Sequence, residues 1–217
     1  MSEPGAHGGF KLPSTHYRTQ GVCGLRTLCW LRGDPEGIRV VRALKDLLEA
    51  QDVTIVLPEP GSRVECDVAV LGVEGRVLNI IVRAQAVVDE VDAWRALFRA
   101  LSHPGGFRSL RVGLDPGITC SIAAYADNIL VWVEKLDCGS VGRRIKWLVE
   151  VVEPRRYNVN VGSGPGLERL LENLVEEGVE FNIVPEERTT TKPVLSRLRE
   201  HVKDEDILAA MTIALTH

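Results

Sequence analysis

The chain has 217 residues, 45% of them hydrophobic and 26% charged, with a net charge of −4. That is enough apolar material for one large or two small packed units, and it excludes a mainly disordered chain. The acidic balance argues against non-specific gripping of nucleic acid, which shows as a strongly basic domain, but leaves room for an enzyme that meets phosphate through a few local cations.

The opening stretch, MSEPGAHGGFKLPSTH, has neither the charged start nor the apolar core of a signal peptide. No apolar run reaches the ~18 residues needed to cross a bilayer. The expectation is a soluble cytoplasmic protein with no membrane partner and a flexible tail over 1–20. Cys23, Cys29, Cys66, Cys120 and Cys138 are odd in number and contain no Cys-x-x-Cys pair. They indicate neither a disulfide framework nor a zinc ribbon, and read as small core residues. None of the five histidines has metal-ligand spacing.

In chain order, TLCWL (27–31) is strand-like. PEGIRVVRALKDLLEA (35–50) then places Ile38, Val41, Leu44 and Leu48 on one helical face, with Pro35 suited to the first turn. VTIVLPE (53–59), CDVAVLG (66–72) and VLNIIVRA (77–84) are β-rich, and VDEVDAWRALFRAL (88–101) is helical. HPGG (103–106) breaks that pattern. The chain therefore divides into a small α/β domain over 21–105, which carries no chemical motif, and a second domain over 106–217.

The second domain begins with three strands, SLRVGLD (109–115), CSIAAYA (120–126) and ILVWVEKL (129–136), the last two joined at a tight Asp127-Asn128 turn. A helix follows over 140–153 with Val141, Ile145, Leu148 and Val152 inward. Strand YNVNVG (157–162) leads through SGPG into a helix with Leu167, Leu170, Leu171 and Leu174 inward, which stops at Gly178. Strand VEFNIVPE (179–186), a polar loop and the helix DEDILAAMTIALTH (204–217) complete the order β-β-β-α-β-α-β-α. An antiparallel hairpin sheet extended by parallel strands through helical crossovers is implied, which is the ribonuclease H-like fold class, α/β with a mixed sheet.

Three groups of acids stand at one end of these elements. Asp115 closes the first strand, Glu186 and Glu187 close the fifth, and Asp204, Glu205 and Asp206 open the last helix. Asp115 reads either as the former of the Pro116-Gly117 turn or as an acid with a cationic partner, since burying an unpaired carboxylate is costly. Asp204 reads as a helix cap, which explains Asp206 less well. Carboxyl ends of parallel strands share one edge, where ligands bind in open α/β sheets. Acids converging there need a hard cation, Mg²⁺ or Mn²⁺.

LDPGIT (114–119) resembles the Asp-Pro-Gly strand end of RuvC-type Holliday-junction resolvases. PEERTTT (185–191) resembles the Asp-Glu-Arg-x-Thr-Thr motif of YqgF-type proteins, and the last helix is similar to the closing Asp-x-x-Ala-Ala helix of both. The resemblance covers Phe107 to the C-terminus. It implies that Asp115, Glu186 and Asp206 are metal ligands and catalytic acids, and that Arg188, Thr190 and Lys192 lie near substrate phosphates. The glycine-rich turn Gly162, Ser163 and Gly164 reads as a phosphate cradle at a helix start or as a plain connection. Arg143, Arg144, Lys146, Arg155, Arg156, Arg197 and Arg199 are further cations that can meet phosphate or simply be solvated.

Two departures bear on activity. Many RuvC and ribonuclease H enzymes carry a glutamate near the fourth strand, where this chain has Asn158, Asn160 and Gly162; YqgF-type proteins also lack that acid, so the gap favours the YqgF type over RuvC. Glu186 stands for the usual Asp. The reading is a metal-dependent nuclease acting on structured or branched DNA or RNA, with a non-catalytic nucleic-acid- or protein-binding module as the alternative. An actin-like phosphotransferase ranks last, because the first half has no second Asp-x-Gly turn. A homodimer is implied by analogy with resolvases, whose four-way junctions have two symmetric cut sites.

Overall fold

The computed structural model describes residues 26–72, 80–102, 105–185 and 202–216. Their first part comprises β1 (Arg26–Trp30), α1 (Pro35–Glu49), β2 (Val53–Val56), β3 (Arg63–Leu71), β4 (Ile81–Asp89) and α2 (Ala93–Ser102). The second comprises β5 (Leu110–Pro116), β6 (Cys120–Ala126), β7 (Ile129–Leu136), a 3-10 turn (Cys138–Ser140), α3 (Val141–Val152), β8 (Tyr157–Val161), α4 (Leu167–Glu176), β9 (Asn182–Ile183) and α5 (Glu205–Ala214). Among the described residues no helix is long and apolar enough to cross a membrane.

The fold is mixed α/β with two sheets. The first has the order β2-β1-β3-β4 and is parallel throughout. The second has the order β7-β6-β5-β8-β9: β5, β6 and β7 are antiparallel neighbours, while β8 and β9 run parallel to β5.

Local chemistry accounts for the element ends. Asp34 accepts a hydrogen bond from the Gly37 amide, and Pro35 fixes the first turn of α1. The β6–β7 hairpin turns at Asp127, whose φ is 53° and whose carboxylate accepts from the Arg108 and Ser109 amides.

Some expectations are corrected. Ile38 lies on the outer side of α1, and Val40 takes its place in the core, because the buried stripe is centred on Val40, Val41, Leu44 and Leu48. Residues 88–89, expected to be helical, end β4, whose side chains alternate in exposure at the period of a strand. Four of the five cysteines form disulfides, Cys29–Cys66 and Cys120–Cys138. Sequence separations of 37 and 18 carry no spacing signal, and the folded sheets bring the thiols together.

Buried side chains from Leu28 to Val179 form one continuous core beneath both sheets. The two parts meet around three tryptophans. Trp94 of α2, Trp132 of β7 and Trp147 of α3 pack edge to face, with ring centroids 5.0 to 5.5 Å apart. The Arg144 guanidinium lies over two of these rings and pairs with Glu134. The Gln51 amide exchanges hydrogen bonds with both backbone groups of Leu130, so the end of α1 caps the edge of β7.

Alternate residues of the second sheet face two different layers. Leu110, Val112, Leu114 and Ile122 join the core shared with α3 and α4. Ala123 and Tyr125 instead pack with Ile207, Ala210, Met211 and Ala214 of α5. Helix α5 crosses β5 so closely that a Cβ on Gly113 would overlap the Ala210 carbonyl and the Ala214 amide. At the far end of α5, Asn160 of β8 donates to the carbonyls of Ile213 and Thr216 at 3.1 and 2.8 Å. Asn158 in turn donates to Asn160 at 3.0 Å, and Asn182 of β9 donates to Asn158 at 2.7 Å.

Backbone atoms cannot give way as a flexible side chain can, so Gly113→Ala is expected to cost about 2–3 kcal/mol by overpacking. At this chain length that corresponds to a fall of roughly 5–10 °C in Tm. Gly105→Ala, where an added Cβ meets nothing within 4 Å, should leave the thermal midpoint nearly unchanged. Equal shifts for the two variants would refute this account of the α5 contact.

Candidate functional site

Asp115 lies at the carboxyl end of β5 and is half-buried. Register places Ser121 of β6 directly opposite it, and Lys135 of β7 directly opposite Ser121. Cross-strand neighbours in an antiparallel sheet point to one side. Asp115, Ser121 and Lys135 therefore form a row across three strands, on the side that carries α5.

The start of α5 reaches the end of that row. Asp204 caps the helix by accepting from the Asp206 and Ile207 amides at 3.1 and 3.2 Å. The Lys135 ammonium lies 2.7 Å from a carboxylate oxygen of Asp204 and 2.7 Å from one of Asp206. Helix capping and ion pairing are thus both met by Asp204, while Asp206 is left to the charged cluster.

The electrostatics follow from this placement. Burial, then the negative charge of Asp206, push the Asp115 carboxyl above its ordinary range, and Lys135 only partly opposes them. Hydrogen bonds to Asp204 and then Asp206 hold the Lys135 ammonium above its usual range. Lys135 likewise depresses Asp204 despite some desolvation. Two uncharged groups lie on the same side of the sheet: the hydroxyls of Ser121 and Tyr125 are buried and make no hydrogen bond among the described residues.

Of the residues singled out from sequence, Asp115 and Asp206 are brought into electrostatic contact although 91 positions separate them. Glu186, Arg188, Thr190, Lys192, Arg197 and Arg199 lie outside the described residues. The loop holding Gly162, Ser163 and Gly164 packs on the turn that follows Asp115. A Cβ at Gly164 would overlap the Pro116 carbonyl, and one at Gly166 would overlap that of Gly117. Close backbone packing thus accounts for these two glycines. Arg143, Arg144 and Lys146 sit on α3, across the sheet from α5, and face Glu134 and Glu177. Arg155 reaches the Gly105 carbonyl at 3.5 Å.

Lys135 and Ser121 were not among the residues singled out from sequence. The available signal was the hairpin itself: counting outward from the Asp127-Asn128 turn pairs Ser121 with Lys135, once the irregularity between Ala124 and Tyr125 is allowed for. Among the described residues no group of three or more His, Cys, Asp or Glu side chains is arranged to hold a metal ion. The donor chemistry of Asp115 and Asp206 does suit a hard divalent cation. Asp115, held toward its neutral form by burial and by Asp206, is also a group that such a cation would relieve.

No protein-family profile matches the chain, and no curated protein matches it. Among solved structures the chain is similar to RuvC of T. thermophilus in complex with a Holliday junction substrate, at a TM-score of 0.37 and 17% identity, over 50% of this chain and 92% of that one.

Because its carboxyl is raised on folding, Asp115 ionises more readily in the unfolded chain than in the folded one. Its ionisation therefore subtracts stability above the folded value, and the penalty disappears below the unfolded value of about 3.9. Asp115→Asn is expected to raise Tm at pH 7, with the gain shrinking toward zero as pH falls to about 4. Parallel melting curves for the two proteins across that range would refute the assignment.

Proposed function

We propose that the chain is a ribonuclease H-like protein that acts on structured or branched nucleic acid at the edge formed by Asp115 and Asp206. The observation that carries this reading is the convergence of these two acids, one ending the central strand and one opening the last helix. The strand order supports it, with an antiparallel hairpin on one side of β5 and parallel strands on the other.

Asp115 and Asp206 would hold Mg²⁺ or Mn²⁺, with Glu186 as the third acid implied by the family resemblance. A cation held there supplies charge neutralisation and an activated water for phosphodiester cleavage. The chain's own part is positional. Asp115 is fixed at the end of a strand hydrogen-bonded on both sides, and Asp206 is fixed by the tight packing of α5 on β5. Ile118, at the tip of the adjoining turn, is 97% exposed.

A second reading, a nucleic-acid-binding module without catalysis, is favoured by one observation. The fourth strand, near which RuvC and ribonuclease H enzymes carry a glutamate, has asparagines here, and Asn160 is committed to tying down the end of α5.

Cleavage of a four-way DNA junction and of structured RNA, assayed with Mn²⁺ and with EDTA, separates the two readings. The nuclease reading expects Mn²⁺-dependent cleavage that falls by on the order of 100-fold or more in Asp115→Asn, since even groups that merely orient metal ligands are worth 10–100-fold. Binding without cleavage, or cleavage unaffected by Asp115→Asn, would overturn it.

A further inference from the structure

We propose that Lys135 is a tethered counter-ion of this acidic edge, its ammonium standing where a divalent cation would bind and yielding to it. This rests on the nuclease reading above but concerns a residue that the family resemblance does not supply.

Three observations carry it. First, Lys135 is placed by register, not by a flexible loop. It ends the row Asp115, Ser121, Lys135 and projects toward α5 with the other two. Second, its ammonium touches two carboxylates from one helix start, Asp204 and Asp206, at 2.7 Å each. A single positive charge is thus shared by two negative groups, while Asp115 makes a third, so that among the described residues negative charge is in excess here. Third, the Ser121 hydroxyl lies between Asp115 and Lys135 in the row. It is fully buried and has no hydrogen-bond partner among the described residues. Buried hydroxyls are nearly always satisfied, so an orphan at the centre of a charged row marks a position completed by a further group, such as a ligand or an ordered water.

The competition has a defined direction. An ammonium carries one charge and donates to the carboxylates it touches, whereas Mg²⁺ or Mn²⁺ carries two and takes several oxygen ligands, retained waters among them. Lys135 is exposed, so its ion pairs are screened by water and salt and can open without unfolding the strand. It ties β7 to the first turn of α5 when no metal is present, at the expense of metal affinity.

The test is Mn²⁺ binding, measured by the loss of free-ion EPR signal and by calorimetry, to the full-length wild type, Lys135→Met, Lys135→Arg and Asp115→Asn. Lys135→Met is expected to bind Mn²⁺ more tightly, by on the order of tenfold. Its Tm should be lower than wild type without metal and recover with Mn²⁺. Lys135→Arg, which keeps the charge, should retain the weak affinity of the wild type. Lys135→Gln replaces Lys135→Met if the latter does not fold. Equal or weaker affinity in Lys135→Met overturns the inference and leaves the nuclease reading standing if the wild type binds Mn²⁺ and Asp115→Asn does not. Binding by Lys135→Met alone supports the inference while counting against metal-dependent cleavage by the native chain. No binding by any of the proteins overturns both.

Discussion

Helix α5 can lie on β5 at backbone distance because Gly113 has no side chain, and the acidic edge depends on that contact. A Cβ at this position would meet main-chain atoms of Ala210 and Ala214. With the helix so close, its first turn projects past the end of β5, where Asp115 stands. The opposite end is tied by Asn160 to the last carbonyls of the helix. The Asn182, Asn158, Asn160 series carries that tie across β8 to β9. The polar alternation of YNVNVG is thus a structural device, one that fixes the distance between two acids far apart in sequence.

Charge then decides what this edge can do. Asp115 is raised by burial and by Asp206, which means that the fold holds two carboxylates closer than they would settle alone. Among the described residues Lys135 is the cation that opposes them, and it does so incompletely. It bonds to the two acids of α5, lowering Asp204, while Asp115 remains raised. A site balanced by a weak, exposed ion pair is easily entered by a stronger cation. Asp115 differs in this from Asp34, the cap of α1, which is paired with the buried Arg32.

Much of this is legible in the sequence, for reasons that differ by element. Strongly periodic helices such as α3 place every expected residue inward, because burial of a stripe is what forms them. Asp115 stands out because it ends an apolar strand, and Asp206 because it belongs to the acidic run that opens the last helix. What the sequence hides is cross-strand register. Lys135 looks like any charged residue of an edge strand until the hairpin sets it two places across from Asp115. The glycines of GSGPG mislead in the other direction, since the run suggests a phosphate cradle, whereas Gly164 and Gly166 let the loop touch the Pro116-Gly117 turn. The cysteine pairs are invisible for the same reason as Lys135, because contacts made by non-local folding leave no mark in spacing.

The first half, which carries no motif of its own, acquires a role through β7. That strand is the edge of its sheet and bears Lys135, and an edge strand is held on one side only. The Gln51 amide occupies its outer backbone groups at Leu130. Trp94 packs against Trp132 on the same strand, and Trp147 closes the group from α3. Arg95 and Arg99 of α2 add ion pairs to Glu150 and Glu153, at the end of α3. Each contact restrains β7 or the helix that follows it, so the row from Asp115 to Lys135 is braced from both ends: by α5 through Gly113, and by the first sheet's helices through the tryptophan cluster. The position of the lysine is therefore a property of the whole chain rather than of the hairpin alone.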